Sequence, residues 1–300
     1  MTPTGTDHQA SQASTKPVTP TPRPTFAEAT HVRRSDAALH LWGDTESGEV
    51  ADWVYVSSEK IHHLVFGLAP GGSFRHSESF RTVFAADEVL YVLAGAMALA
   101  NPMTGEVVRA ATGEAVFFRR DTWHHAFTVG SEALRVLEFF APPPAAGASS
   151  AYSKTRPYLD KSSYTDDRWE GRWPEARAER ERSATLRLLD DRLALWSLTG
   201  EGTLLGRFAS TEHLTVAKVV QNPGGRSDVL QHGGDASLHV TSGVVNIAVH
   251  TDERRSWFEV PQDDGFFVPQ GTRYEFRNMT GSDCELMLAV APTFAASRQA

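Results

Sequence analysis

Phe117–His125 reads FFRRDTWHH, and Phe266–Glu275 reads FFVPQGTRYE. Both pair two aromatics with a polar turn, but the first ends in adjacent histidines and the second in a tyrosine and a glutamate. Outward from this pair, other landmarks recur in one order. LHLW at Leu39–Trp42 returns as LALW at Leu193–Trp196, and LAPGG at Leu68–Gly72 as QNPGG at Gln221–Gly225. AG at Ala94–Gly95 returns as SG at Ser242–Gly243, FFR at Phe117–Arg119 as FVP at Phe267–Pro269, and FAP at Phe140–Pro142 as VAP at Val290–Pro292. The offsets stay between 148 and 154 positions, so the chain holds a duplicated domain.

Each copy consists of short apolar runs broken by Gly, Pro and Asp, with little helical periodicity, which predicts strands closed into a sandwich or barrel. Strands are expected near 51–56, 62–68, 88–93, 97–101, 115–118 and 134–139 in the first copy. The second copy supplies them near 193–198, 214–220, 237–240, 244–250, 257–260, 266–268, 274–277 and 285–290. The expected domains are therefore 35–145 and 191–296. Between them, 146–190 is a linker that contains PPPAAGASS in its approach and PEARAERERSA from Pro174, a short helix with proline in its first turn and charges at i,i+4 spacing. Residues 1–25, rich in Thr, Pro, Ser and Gln, cannot bury enough surface to offset ordering and are expected to be a disordered tail.

Bulk properties exclude several functions. The 300 residues carry a formal charge of −8, which offers no electrostatic footprint for nucleic acid or an anionic membrane. The single cysteine, Cys284, rules out an intrachain disulfide or a multi-cysteine zinc site, and its apolar run CELMLAVAP makes it a core residue. No apolar run is long enough to span a bilayer and the N-terminus lacks a signal-like apolar region, so the expected location is the cytoplasm.

The chemistry concentrates in the first copy. PGGSFRHSESFRTVFAADEVLYVLAG, Pro70–Gly95, places Glu88 seven residues before Gly95. With GEAVFFRRDTWH, Gly113–His124, it resembles the two sequence motifs of the cupin superfamily, and the duplication makes the resemblance that of a bicupin. It covers the chain from about residue 35. It implies an all-β fold of two double-stranded β-helix (jelly-roll) barrels in tandem, with metal ligands pointing into the barrel mouth. His76 stands about where the first motif histidine belongs, Glu78 replaces the second, and His124 holds the histidine position of the second motif. Arg119 and Asp121 occupy the places where Pro and Gly are usual.

Strand alternation supports this independently. Glu88 shares a face with Leu90 and Val92, and one carboxylate on an apolar face is costly unless it is paired or metal-bound. Singly, His76 reads as a loop residue, Glu88 as a partner of Arg119 or Arg120, and His124 as a cap. Together, His76, Glu88 and His124, with Glu78 as the weakest fourth candidate, suit one divalent ion: Fe(II) first, with Zn, Mn, Ni or Co accepted by the same donors. Adjacent residues of a strand face opposite ways, so one of His62 and His63 should face the interior and serve as acid or base. Arg119, Trp123, Phe127 and Tyr91 are the expected substrate contacts. In the second copy Ala236 replaces the glutamate and Tyr274 the second-motif histidine, leaving His232 and nearby Asp235, which cannot hold an ion.

These features point to an enzyme acting on a small organic molecule, first as an Fe(II) dioxygenase. The alternatives are a redox-neutral isomerase, lyase or decarboxylase, or a non-catalytic binding protein. A homodimer is the expected assembly.

Overall fold

The computed structural model describes residues 21–75, 77, 80, 82–142, 184–251 and 255–295. His76, Glu78 and the helix expected from Pro174 lie outside the described residues. The chain supplies β1 (Thr30–Val32), β2 (Ala38–Asp44), β3 (Gly48–Ser57), β4 (His62–Leu68), β5 (Ser73–Phe74) and β6 (Asp87–Ala94). Then follow β7 (Ala96–Asn101), β8 (Glu106–Ala111), β9 (Ala115–Phe118), β10 (His125–Thr128) and β11 (Leu134–Ala141). The second copy contributes β12 (Arg187–Leu189), β13 (Leu195–Leu198), β14 (Glu201–Ser210), β15 (Thr215–Arg226) and β16 (Asp235–Ser242). It ends with β17 (Val244–His250), β18 (Arg255–Pro261), β19 (Gly265–Val268), β20 (Arg273–Arg277) and β21 (Cys284–Ala291).

The first barrel is a seven-stranded sheet, β12-β9-β6-β11-β4-β3-β2, facing the four-stranded sheet β5-β10-β7-β8. In the second, β15 is long enough to pair with β14 and β21 on one side of the barrel and to reach β20 on the other, joining the equivalent sheets into one. The chain turns between the unpaired strands β6 and β7 on Gly95 (φ 78°), and between β16 and β17 on Gly243 (φ 74°). A Cβ on Gly95 would meet the Ala133 carbonyl at 2.9 Å, so the motif glycine is fixed by sterics as well as by φ.

Each half lends a strand to the other. β1 pairs with β19 of the second barrel, and β12 pairs with β9 of the first. The segment 187–189, expected in the linker, is thus a strand of the first barrel's sheet. Residues 21–25, expected in a disordered tail, are placed against that barrel, where Ser57 N–H donates to the Pro24 carbonyl at 2.7 Å. Such short pieces carry no periodicity and form because a partner edge awaits them.

Alternation sorts apolar side chains into three cores. Val54, Leu64, Phe66, Leu90, Val116 and Val136 fill the first barrel, and Val219, Leu238, Ile247, Phe266 and Leu288 fill the second, which also takes in Cys284. The opposite faces of the same strands, with Tyr55, Val65, Val89, Tyr91 and Phe139 from one barrel and Phe208, Val216, Phe267 and Met287 from the other, form the seam between them. Two buried acids cross this seam in matching ways. Asp87 accepts from Arg119 Nε and Arg120 N and reaches Thr211 Oγ1 of the other barrel at 2.7 Å. Asp235 accepts from Gln270 N and reaches Ser58 Oγ at 2.9 Å and Lys60 Nζ at 2.9 Å.

Candidate functional site in the first barrel

β6 and β11 pair with Glu88 opposite Phe140 and Leu90 opposite Glu138, so Glu88 and Glu138 are diagonal neighbours on the interior face. β4 pairs with β11 so that His62 stands opposite Phe140 on that face. The loop after β9 brings in His124. It is held because His124 N–H donates to the Thr82 carbonyl and Asp121 N–H to the Phe84 carbonyl, at 3.1 and 2.7 Å. Asp121 has φ 62°, and Gly271, at the same place in the second copy, has φ 79°. The turn needs the left-handed region, which aspartate tolerates better than most residues.

These side chains surround a cavity of about 60 Å³, walled by Trp42, Asp52, His62, Phe66, Phe74, Thr82, Phe84, His124, Glu138 and Phe140 among others. At the 10–15 Å³ a water needs on this measure, it admits roughly four to six water-sized groups. Glu88, 1% exposed, stands against two members of the wall: its carboxyl is within hydrogen-bonding reach of Glu138, and its Oε2 lies 3.9 Å from His124 Nε2.

Protonation follows from burial. His124 Nδ1 lies 3.2 Å from the Thr122 carbonyl, which can only accept, so Nδ1 carries the proton and Nε2 a lone pair. Burial pushes its pKa down to about 4. Burial also raises Glu88 well above the carboxylate range, and it pushes Glu138 up to about 8, helped by the charge of Asp52. The two carboxyls share a site that cannot hold two unscreened charges. Among the described residues Glu88 Oε2 has no hydrogen-bond partner. A nitrogen lone pair and an orphaned carboxylate oxygen therefore face each other, and a cation satisfies both. Among the described residues no three His, Cys, Asp or Glu side chains group closely enough to hold an ion by themselves, so this pair needs a further donor. His76, the further donor expected from the motif, lies outside the described residues.

Of the two candidate acid/base histidines, His62 lines the cavity. Its Nδ1 is 2.9 Å from Ser57 Oγ, and burial pushes its pKa down to about 3, with the Arg23 charge adding to the effect. His63 points into the seam, stacked on Tyr55 and 2.8 Å from Ser237 Oγ, and has no access to the cavity. The four expected substrate contacts are placed away from the cavity wall. Arg119 is spent on Asp87 and on Glu212 of the second barrel. Tyr91 packs on Phe208 in the seam, on the face opposite Glu88. Phe127 alternates with Ala126, an interior residue, and so projects from the outer face of β10. Trp123 is buried but is not part of the cavity wall.

Sequence reasoning missed Glu138, Asp52 and the aromatic wall of Trp42, Phe66, Phe74, Phe84 and Phe140. Trp42 Nε1–H donates to Asp52 Oδ2 at 2.7 Å, and His40 Nδ1 lies 3.6 Å from the same oxygen. The signal was present: LRVLEFF and VADWVYV each set one acid on an otherwise apolar strand, the argument that singled out Glu88.

The second barrel resolves the same geometry differently. His232 Nδ1 bonds the Phe294 carbonyl, so its Nε2 accepts a proton bond from Tyr274 Oη at 2.8 Å. A phenol hydroxyl satisfies the lone pair, and Ala236 is buried in the core where the first barrel has its glutamate.

Two jelly-roll barrels built from one repeat, one with a buried His and Glu facing each other and one without, define a bicupin. Residues 65–140, in the first barrel, match the family described as Cupin domain, and the fold is that of two cupin-type jelly-roll barrels. No curated protein sequence matches it. Similar solved structures include a protein from Pseudomonas aeruginosa named as glyoxylate-induced, 13% identical over 93% of this chain and 94% of that one, with TM-score 0.63. Oxalate decarboxylase from Lactobacillus farciminis, in a formate complex, is 12% identical over 92% and 89%, with TM-score 0.61. Oxalate decarboxylase from Bacillus subtilis is 14% identical over 92% and 79%, with TM-score 0.58. At these identities the likeness is one of fold.

Proposed function

We propose that the first barrel is a divalent-metal site and that the chain is a metal-dependent enzyme performing redox-neutral proton chemistry, such as decarboxylation, elimination or isomerisation, on a molecule of about six heavy atoms or fewer. The observation that carries this is the lone pair of His124 facing the orphaned oxygen of Glu88 inside a small, aromatic-walled cavity. His124 and Glu88, with His76, would hold the ion. When bound, it supplies Lewis-acid polarisation of an oxygen. The five aromatic side chains of the wall exclude water and limit size. His62 and Glu138, beyond the ligand set, offer an imidazole and a carboxyl group for proton exchange at the cavity wall, and they favour proton transfer over oxygen chemistry. One Bacillus subtilis oxalate decarboxylase structure concerns Mn(II) centres. A donor set of two imidazoles and one carboxylate accepts Mn(II) as it accepts Fe(II).

Elemental analysis of protein purified anaerobically should find near one equivalent of Mn or Fe, lost in His124→Ala and Glu88→Gln but kept in His63→Ala. A metal-free wild type, or His124→Ala that retains its ion, would sink the proposal. The two imidazoles and one carboxylate of His76, His124 and Glu88 keep a dioxygenase as the second reading. An oxygen electrode separates the two: turnover that stops without O2 supports the dioxygenase.

A further inference from the structure

The wall of the cavity includes one residue from outside both repeats. Thr21 lines it, in a strap that crosses the β3–β4 turn. The hydrogen bonds that hold the strap there include Ser57 N–H to the Pro24 carbonyl at 2.7 Å, Arg23 Nε–H to Ser57 Oγ at 3.4 Å, and Arg23 to the Ser58 carbonyl at 3.5 Å. Phe26 then packs 6.0 Å from Phe267 of the second barrel, which pins the strap at its C-terminal end. The other walls belong to strand ladders or to the loop tied by the backbone bonds at Thr82 and Phe84. Both Arg23 bonds to the turn are at the long end of the hydrogen-bond range. Residues 21–26 form no strand, and local opening favours segments outside the strand ladders.

We propose that Thr21–Pro24 is the movable wall of the first-barrel cavity, a specificity-determining strap that admits the small molecule when it lifts and bounds its size when seated. The anchor gives the strap a second consequence. Ser57 Oγ, which receives Arg23, is also the partner of His62 Nδ1, and His62 is only 2% exposed with the strap in place. Lifting the strap uncovers the proposed acid/base group along with the cavity, and seating it returns both to a water-poor state.

The inference rests on the cavity being the working site, but its test does not need a metal or a substrate. Chelator-treated full-length protein is reacted with diethyl pyrocarbonate, and carbethoxylation of each histidine is followed by peptide mass spectrometry. In the wild type His62 should react slowly. In Arg23→Ala and in a chain starting at Phe26 it should react faster, by about tenfold where the whole strap is gone, because the barrier to local opening is lowered. His63 and His239, sealed in the seam, serve as internal controls and should stay slow in all three proteins. Fast modification of His62 in the wild type, or an unchanged rate in both variants, overturns the strap. So does equal acceleration of His62, His63 and His239, which would mean that the whole fold had loosened. Absence of bound metal in the native protein leaves this result untouched and counts only against the metal reading.

Discussion

The difference between the two barrels comes down to what satisfies one imidazole lone pair. In the first barrel His124 Nε2 faces a carboxyl oxygen of Glu88, a pair that a cation would satisfy; in the second His232 Nε2 accepts a hydrogen bond from Tyr274 Oη. Tyr274→Phe should therefore leave a buried acceptor unpaired and lower stability by about 1–3 kcal/mol, read by chemical denaturation. The converse change is a sharper test of the repeat. Ala236→Glu with Tyr274→His returns a carboxylate and an imidazole to the positions beside His232, and the doubly substituted protein should bind a second equivalent of Mn(II) in equilibrium dialysis. One equivalent, as in the wild type, would show that the second barrel lacks more than these donors. At this scale the sequence was informative where a motif fixed the position: Glu88 and His124, picked from the motif, stand 3.9 Å apart in the first barrel, and Ala236 and Tyr274 are buried in the core of the second. It was silent where the site depends on which strand lies next to which. Glu138 enters the cavity only because β11 pairs with β6, some fifty residues upstream, and Asp52 only because β3 pairs with β4.

Strands with strong alternation, such as β4, β6, β16 and β21, were legible from their apolar periods. Strands that exist to complete another element were not. β1, β5 and β12 span 2–3 residues each, too short for any pattern, and are held by the edges of β19, β10 and β9. The Arg-Arg-Asp replacement in FFRRDTWHH also becomes intelligible here. Arg119 and the Arg120 N–H fasten the loop to Asp87, while Asp121 takes the left-handed turn. It is a structural clamp across the seam, paralleled by Gln270 and Asp235 in the other half. Asp87 and Asp235 are each buried with three partners, so alanine at either position leaves several donors unpaired. Each substitution should cost about 2–4 kcal/mol, and the Asp87→Ala variant should also lose affinity for metal, because the loop it releases carries His124. Calorimetry with titrated Mn(II) checks both effects. A stable Asp87→Ala protein with unchanged metal affinity would show that β9 and Thr82 alone position the loop.

The molecule as a whole should record its buried titratable groups as a pH dependence of stability. Burial holds His62 at about 3, His124 at about 4 and His239 at about 3, and keeps His63 well below 6.5. In the unfolded chain these imidazoles take up protons below 6.5 while the fold refuses them, so stability falls as pH drops from 6.5 toward the folded values. The acids act in the opposite direction. Glu138 at about 8, with Glu88 and Asp52 also raised by burial, keeps its proton in the fold after the unfolded chain has ionised near 4.5. Stability therefore falls as pH rises from 4.5 to about 8, by about 1.4 kcal/mol per unit for each such group over the window in which the two states differ. Between 4.5 and 6.5 the histidines and acids oppose one another; above 6.5 only the acids titrate. Metal-free protein should be most stable near pH 6.5 and lose stability toward pH 8, measured as denaturation midpoints across pH 5–9. Glu138→Gln should flatten the alkaline limb without moving the acid one. Mn(II) should flatten it as well, because the ion binds the carboxylate form and stabilises the fold by mass action, more at pH 8 than at pH 6. An alkaline limb that persists unchanged in Glu138→Gln and with saturating Mn(II) would place its origin outside the cavity and remove the energetic case for a cation between Glu88 and His124.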